Sequence, residues 1–230
     1  MNILYLDSST EACTAGVAVG DRTVTDFAIA PRGHAQRLLP MAEGLLEQAG
    51  IGFAELDLVG FGRGPGSFTG VRIATAMAQG IAMARDLPMA GVSSLECLAL
   101  GAWQRFQRSD DPGEGAEICV AIDARMGEIY RAVYRARSTA ELEVLDQEAV
   151  TKPVFPVRID TSVPLIATGS GFGRYPDMLE SAAVAQCDPD ALPHARDALA
   201  LLQRSGADGW MPPDRAVPHY VRDNVATVAS

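Results

Sequence analysis

Gly60-Phe61-Gly62-Arg63-Gly64-Pro65-Gly66-Ser67-Phe68-Thr69-Gly70-Val71-Arg72 joins an apolar strand to a long apolar helix. Five glycines and one proline in this span leave little side chain in the way, so the main chain can turn sharply or approach something closely. Ser67 and Thr69 stand where a helix cap belongs, and unsatisfied N–H groups at a helix start favour an anion, usually a phosphate. The stretch has no Gly-Lys-Ser/Thr ending of a P-loop, and Ser67 sits where a dinucleotide fingerprint needs glycine. Taken alone, it reads first as a tight strand-to-helix turn and only second as a ligand loop.

The helix leaving this loop, residues 71–86, keeps Arg72, Thr75 and Gln79 in one narrow polar stripe. Two rows of small residues, Ala74-Ala78-Ala82 and Ala76-Gly80-Ala84, run on nearly opposite sides. Backbones can approach closely over such rows, so one side can hold a sheet while the other accepts a helix. A helix buried on all sides satisfies the same pattern. Residues 56–62 form the strand entering the loop, 89–92 the strand after the helix, and 94–106 the next helix.

Upstream, residues 3–7, 13–19 and 24–30 read as an antiparallel meander. Residues 33–49 place Leu38, Met41, Leu45 and Ala49 on one stripe and Leu39, Ala42 and Leu46 on the next, opposite Gln36, Glu43 and Glu47. That combined stripe is wide enough for this helix to touch its own sheet and something else. Downstream, residues 109–115 are polar, rich in breakers and read as a linker. Cys119-Val120-Ala121-Ile122-Asp123 then repeats the pattern of Ile3-Leu4-Tyr5-Leu6-Asp7, and residues 129–134 alternate as 13–19 do. Residues 165–168 predict a strand, 192–202 a helix, and 211–222 an extended tail.

Two halves, residues 1–108 and 109–230, each opening on a hairpin whose first strand ends in Asp, follow the α/β plan of actin-like ATPases and sugar kinases. This ribonuclease H-like fold has two related lobes with mixed sheets flanked by helices. In such folds Asp-x-Ser/Gly-Thr hairpins grip nucleotide phosphates. Asp7-Ser8-Ser9-Thr10 fits that template, which makes Asp7, Gly64, Gly66, Ser67 and Thr69 candidate phosphate contacts. Asp123-Ala124-Arg125-Met126 does not, because it puts bulk and a cation where a slim turn is wanted.

With 230 residues and 48% hydrophobic content, the chain can bury a substantial core. Its start lacks the basic and apolar regions of a signal peptide, and the apolar run at 73–84 is too short to span a bilayer, so a cytoplasmic location is expected. Cys13, Cys97, Cys119 and Cys187 are scattered without a CxxC pair, against both a disulfide scaffold and a zinc site. Formal net charge is −10, with Lys152 the only lysine. A field of that sign repels nucleic acid at long range, so a partner is expected to supply most of the grip on any RNA.

His34-Ala35-Gln36-Arg37-Leu38-Leu39-Pro40, Gly62 through Arg72, Asp123-Ala124-Arg125-Met126-Gly127-Glu128 and Tyr220-Val221-Arg222 occur in one order along the chain. Together they resemble the bacterial TsaB family, also called YeaZ, over almost the whole length. The resemblance implies a non-catalytic partner in making threonylcarbamoyladenosine beside the anticodon of tRNAs that read codons starting with adenine. It implies binding to the paralogous TsaD transferase, cycling by the TsaE ATPase, and contact with tRNA through the complex. The helices at 33–49 and 71–86 are expected to meet the equivalent TsaD pair, with His34, Leu38, Met41, Leu45, Ala74, Ala78 and Ile81 at the contact. The chain alone is expected to dimerise through the same face, and Ala78→Arg to break the contact without unfolding the monomer if Ala78 faces outward. No cofactor of its own is implied, although ATP or ADP at the partner interface is compatible.

The same family was once labelled a glycoprotease. The catalytic paralogue carries a His-x-x-x-His pair where this chain has Ser94 and Leu98. Leucine has no donor atom and a neutral serine is a poor ligand beside histidine; Glu96 alone does not make a site. His34, His194 and His219 are far apart in sequence, and Ser67 is not in Gly-x-Ser-x-Gly context. Peptidase chemistry and a resident metal are therefore not expected. The rival readings are an ATP- or metal-dependent transferase or hydrolase acting through Asp7 and the glycine loop, and an interaction domain unrelated to tRNA.

Overall fold

The computed structural model describes residues 1–108, 115–137, 142–155, 162–179 and 183–221. They form two compact units, Met1–Gly101 with Leu192–Pro218, and Ala102–Ala191 with the chain from His219. In the first unit, β1 (Asn2–Asp7), β2 (Ala12–Val19) and β3 (Arg22–Ile29) make the predicted meander, with Asp7 opposite Thr14. Helix α1 (His34–Ala49) follows, closed by Gly50 in the left-handed conformation that glycine adopts without strain. β4 (Leu58–Gly64) lies parallel to β1, α2 (Phe68–Arg85) crosses over, and β5 (Met89–Ser93) pairs parallel with β4. α3 (Ser94–Phe106) leads toward the second unit.

The strand order is β3-β2-β1-β4-β5. Alternation along β1 sends Leu4 and Leu6 to the face covered by α1 and α2, with Val59 and Phe61 beside them. Ile3 and Tyr5 go to the opposite face with Leu58, Ala90 and Val92.

In the second unit β6 (Gly115–Arg125), β7 (Glu128–Arg137) and β8 (Leu142–Thr151) are antiparallel neighbours. β9 (Leu165–Thr168) runs parallel to β6, α4 (Ser170–Arg174) follows it, and β10 (Val184–Asp188) is parallel to β9. The order β8-β7-β6-β9-β10 repeats the first sheet strand for strand, in sequence rank and in direction. The fold is therefore the two-lobed, actin-like α/β plan that the repeated hairpin predicts. The sequence does not announce β8 and β10, whose mixed burial blurs the alternation of edge strands. The predicted linker at 109–114 lies outside the described residues.

The division at residue 108 needs correction, because α5 (Ala195–Arg204) belongs to the first unit. Ala195, Ala198, Leu199 and Leu202 on its apolar face pack on the side of the first sheet that carries Ile3 and Tyr5. That approach needs glycine below. A Cβ at Gly16 would come within 2.7 Å of Leu199 Cδ1, and one at Gly60 would collide with Leu202. The predicted tail is likewise anchored up to residue 218. Met211 and Met89 exchange backbone hydrogen bonds of 2.8 Å, and the Gln79 side-chain amide donates to the carbonyls of Pro213 and Ala216, both at 2.9 Å. Arg222 lies outside the described residues.

Candidate functional site

The glycine loop and the turn after β1 do meet, and they occupy each other. The Ser67 N–H donates to the Ser9 carbonyl (2.6 Å), and the Ser8 hydroxyl donates to the Gly70 carbonyl (2.8 Å). A Cβ at Gly66 would collide with the Ser9 carbonyl oxygen, and one at Gly70 with that of Ser8. Glycines 66 and 70 thus provide the close backbone approach that the sequence allowed, and the object approached is the chain's own turn. Ser67 caps α2, accepting the Gly70 N–H at 3.4 Å.

Asp7 is 2% exposed. Its carboxylate accepts the Ser9 N–H (2.7 Å) and the Tyr5 hydroxyl (3.1 Å) and lies over Gly62, leaving no room there for a Cβ. Burial pushes its pKa up, while hydrogen bonds from Ser9 and Tyr5 pull it down. Gly64 is buried, Gly66 half-buried, and Ser67 and Thr69 exposed, so the five candidate phosphate contacts split between a closed interior and an open helix start. Ser94 is buried, its hydroxyl 2.9 Å from that of Ser9, and Leu98 is buried in the core. Among the described residues no three His, Cys, Asp or Glu side chains gather as a metal set.

The helix residues assigned to a partner separate in a way their spacing did not reveal. Leu38, Leu45, Ala74 and Ala78 pack inward on their own sheet, and His34 is also buried. Met41 and Ile81 are half-buried at the margins. The outward row on α2 is Ala76, Gly80 and Ala84, with Met83 at 62% exposure, and the outward face of α1 carries Leu39, Pro40, Glu43, Gly44 and Glu47. A Cβ added at Gly44 or Gly80 would meet nothing within 4 Å. The sequence contained this second small row but no means of telling which row faced the sheet. It also missed the Arg72 guanidinium stacked 3.4 Å from the centre of the half-exposed Phe68 ring.

In the second unit Asp123 plays the part Asp7 plays in the first. Its carboxylate accepts the N–H two residues on, that of Arg125, at 2.9 Å, and pairs with the Arg125 guanidinium at 3.1 Å. Arg125 and Met126 are both in the left-handed region, with φ of 61° and 56°, and Met126 is 83% exposed.

His194, which the sequence offers only as an isolated histidine, holds the returning helix. Its Nδ1 accepts the Arg196 N–H at 3.1 Å, capping α5, and its ring stacks on Phe27 at 5.4 Å. Burial and then Arg196 lower its pKa from the ordinary 6.5. Folding therefore favours the neutral ring: this contribution to stability is complete above about pH 6.5 and is lost as pH falls from there through the folded value. Urea midpoints measured from about pH 7.5 to pH 5 are expected to fall in wild type and to lose part of that slope in His194→Gln. An unchanged slope would remove His194 as the titrating cap.

A family model described as TsaD, tRNA N6-adenosine threonylcarbamoyltransferase, matches residues 28–154. The tRNA threonylcarbamoyladenosine biosynthesis protein TsaB of Escherichia coli K12 is 37% identical over 230 residues, covering 98% of this chain and 96% of that protein. The protein of the same name from Haemophilus influenzae is 39% identical over 130 residues, 56% of this chain and 52% of that protein. Among solved structures, YeaZ from Pseudomonas aeruginosa superposes with a TM-score of 0.85 at 37% identity, covering 95% of this chain and 99% of that one. The near-complete coverage in sequence and in structure places the chain in the TsaB (YeaZ) family.

Proposed function

We propose that this chain is the non-catalytic subunit required for forming threonylcarbamoyladenosine at the adenosine beside the anticodon, in tRNAs that read codons starting with adenine. Family membership ties it to that tRNA modification. In this reading it binds and supports a TsaD-type transferase, works with a TsaE-type ATPase, and reaches tRNA as part of the complex. It holds no cofactor of its own, and any ATP or ADP sits at the interface with the partner. No helix among the described residues is long and apolar enough to cross a membrane.

The observation that carries the reading is the outward row Ala76-Gly80-Ala84 on α2, beside Gly44 and Leu39 on α1. Open space at both glycines lets another helix pair approach to backbone contact distance. The interior supports it from the other side: Asp7 is enclosed, and Ser94 and Leu98 supply no imidazole.

Reconstituted modification tests the role. Unmodified tRNA, labelled threonine, the adenylate-forming enzyme, a TsaD homologue and a TsaE homologue are expected to give product only with this chain present. Product formed by this chain without the TsaD homologue would overturn the non-catalytic reading. The face itself is tested by Gly80→Arg, expected to have a urea midpoint no lower than wild type, because nothing surrounds the site and arginine is a better helix former than glycine. In a calorimetric titration it is expected to weaken transferase binding at least tenfold, and in sedimentation to make any homodimer dissociate. Wild-type affinity would count against this surface.

A further inference from the structure

The end of the first unit where α1 and α2 begin is unlike the rest of this acidic chain. Both helix starts are tied to the turn after β1: Ala30 at the entry to α1 donates to the Glu11 carbonyl (2.9 Å), and Ser67, the cap of α2, donates to the Ser9 carbonyl. Around that turn stand Arg32, Arg37 and Arg72, all exposed, and Arg63, half-exposed. The carboxylates Glu43, Glu47, Glu55 and Asp57 lie toward the opposite end, on the later turns of α1 and before β4, while the acids on this side include exposed Glu11, Asp26 on β3, enclosed Asp7 and half-buried Glu96, two residues after the Ser94 that meets Ser9.

Two further features sharpen the patch. α1 starts without a side-chain cap and without an acidic residue in its first turn. His34 opens that helix at 8% exposure, and its Nε2 has no hydrogen-bond partner. On α2 the Phe68 ring is 51% exposed, with the Arg72 guanidinium stacked on it. A protein carboxylate would be satisfied by the arginines alone. Arginines around two helix starts, together with an aromatic–guanidinium platform, suit a backbone of phosphates with unstacked bases.

We propose that Arg32, Arg37, Phe68 and Arg72 form a contact surface for single-stranded RNA, with arginines on phosphates and Phe68 under a base. The proposal rests on the tRNA-modification reading for the identity of the RNA, an unmodified anticodon loop. The net charge of −10 keeps the contact weak for the isolated chain, so it orients RNA within the complex rather than capturing it.

The test is fluorescence anisotropy with a labelled RNA hairpin carrying an unmodified anticodon loop, and with a blunt duplex of the same stem. The full chain is used alone and with a TsaD homologue, between about 50 and 200 mM salt. Arg37→Ala and Arg72→Ala are each expected to reduce the slope of log affinity against log salt by roughly one unit or a little less. Phe68→Ala is expected to weaken hairpin binding by about 5- to 100-fold and duplex binding hardly at all. Arg22→Ala, at the far end of the sheet where its guanidinium donates to the Gln48 carbonyl, should leave both unchanged.

Equal hairpin affinity in wild type, Phe68→Ala and Arg72→Ala overturns the proposal, as does an equal loss in Arg22→Ala. If the patch variants instead lose affinity for the TsaD homologue without RNA and keep their RNA binding, the surface belongs to a protein contact. Failure of the subunit reading shows separately, in Gly80→Arg keeping its transferase affinity.

Discussion

Ala78→Arg is expected to leave the first unit unfolded or close to it, at a cost of more than about 4–5 kcal/mol, comparable to the whole stability of a small domain. Ala78 is fully buried between Ala74 and Ala82 on the row of α2 that lies against the sheet, among Leu38, Ala42 and Phe61. Arginine there must displace close-packed side chains and bury a charge, and α2 carries no acidic residue to compensate it. Circular dichroism and a urea melt decide it: a native spectrum with a wild-type midpoint would mean that α2 is rotated from the orientation described. Gly80→Arg, half a turn away on the open side, carries the same side chain and is expected to fold. The pair separates a failure to dock from a failure to fold, which Ala78→Arg alone cannot do.

Gly70→Ala is expected to destabilise the first unit by about 3–5 kcal/mol, although glycine-to-alanine changes inside helices normally stabilise by roughly 0.5–1 kcal/mol. The sign reverses because the new methyl would overlap the Ser8 carbonyl oxygen, and that carbonyl belongs to a turn already bonded to the loop through Ser8 and Ser9. Backbone cannot swing aside as a flexible side-chain end can, so turn and helix must separate. Gly80→Ala on the same helix is the control and should gain stability, since its Cβ meets nothing. A Gly70→Ala midpoint at or above wild type would show that the loop and the turn are not interlocked.

Local sequence determined much of this protein. Alternation along residues 3–7 and 13–19, helical spacing at 33–49, and the glycine loop between two apolar elements placed β1, β2, α1, β4 and α2 to within a few residues. The repeated apolar run ending in Asp7 and again in Asp123 announced the duplicated sheet, because a buried first strand must look alike in both lobes. The four ordered motifs, with the two missing histidines at Ser94 and Leu98, pointed to the family and argued against a metal site.

Tertiary structure alone decided which of two equally small rows on α2 faces the sheet, because four-residue spacing defines a row without orienting it. It decided that the glycines at 66 and 70 accommodate the chain's own turn, a contact between residues some sixty positions apart that no local window contains. It also returned α5 to the first sheet across an intervening lobe, where Gly16 and Gly60 leave the space that Leu199 and Leu202 fill. Periodicity records that a residue is buried; only the fold supplies the surface that buries it.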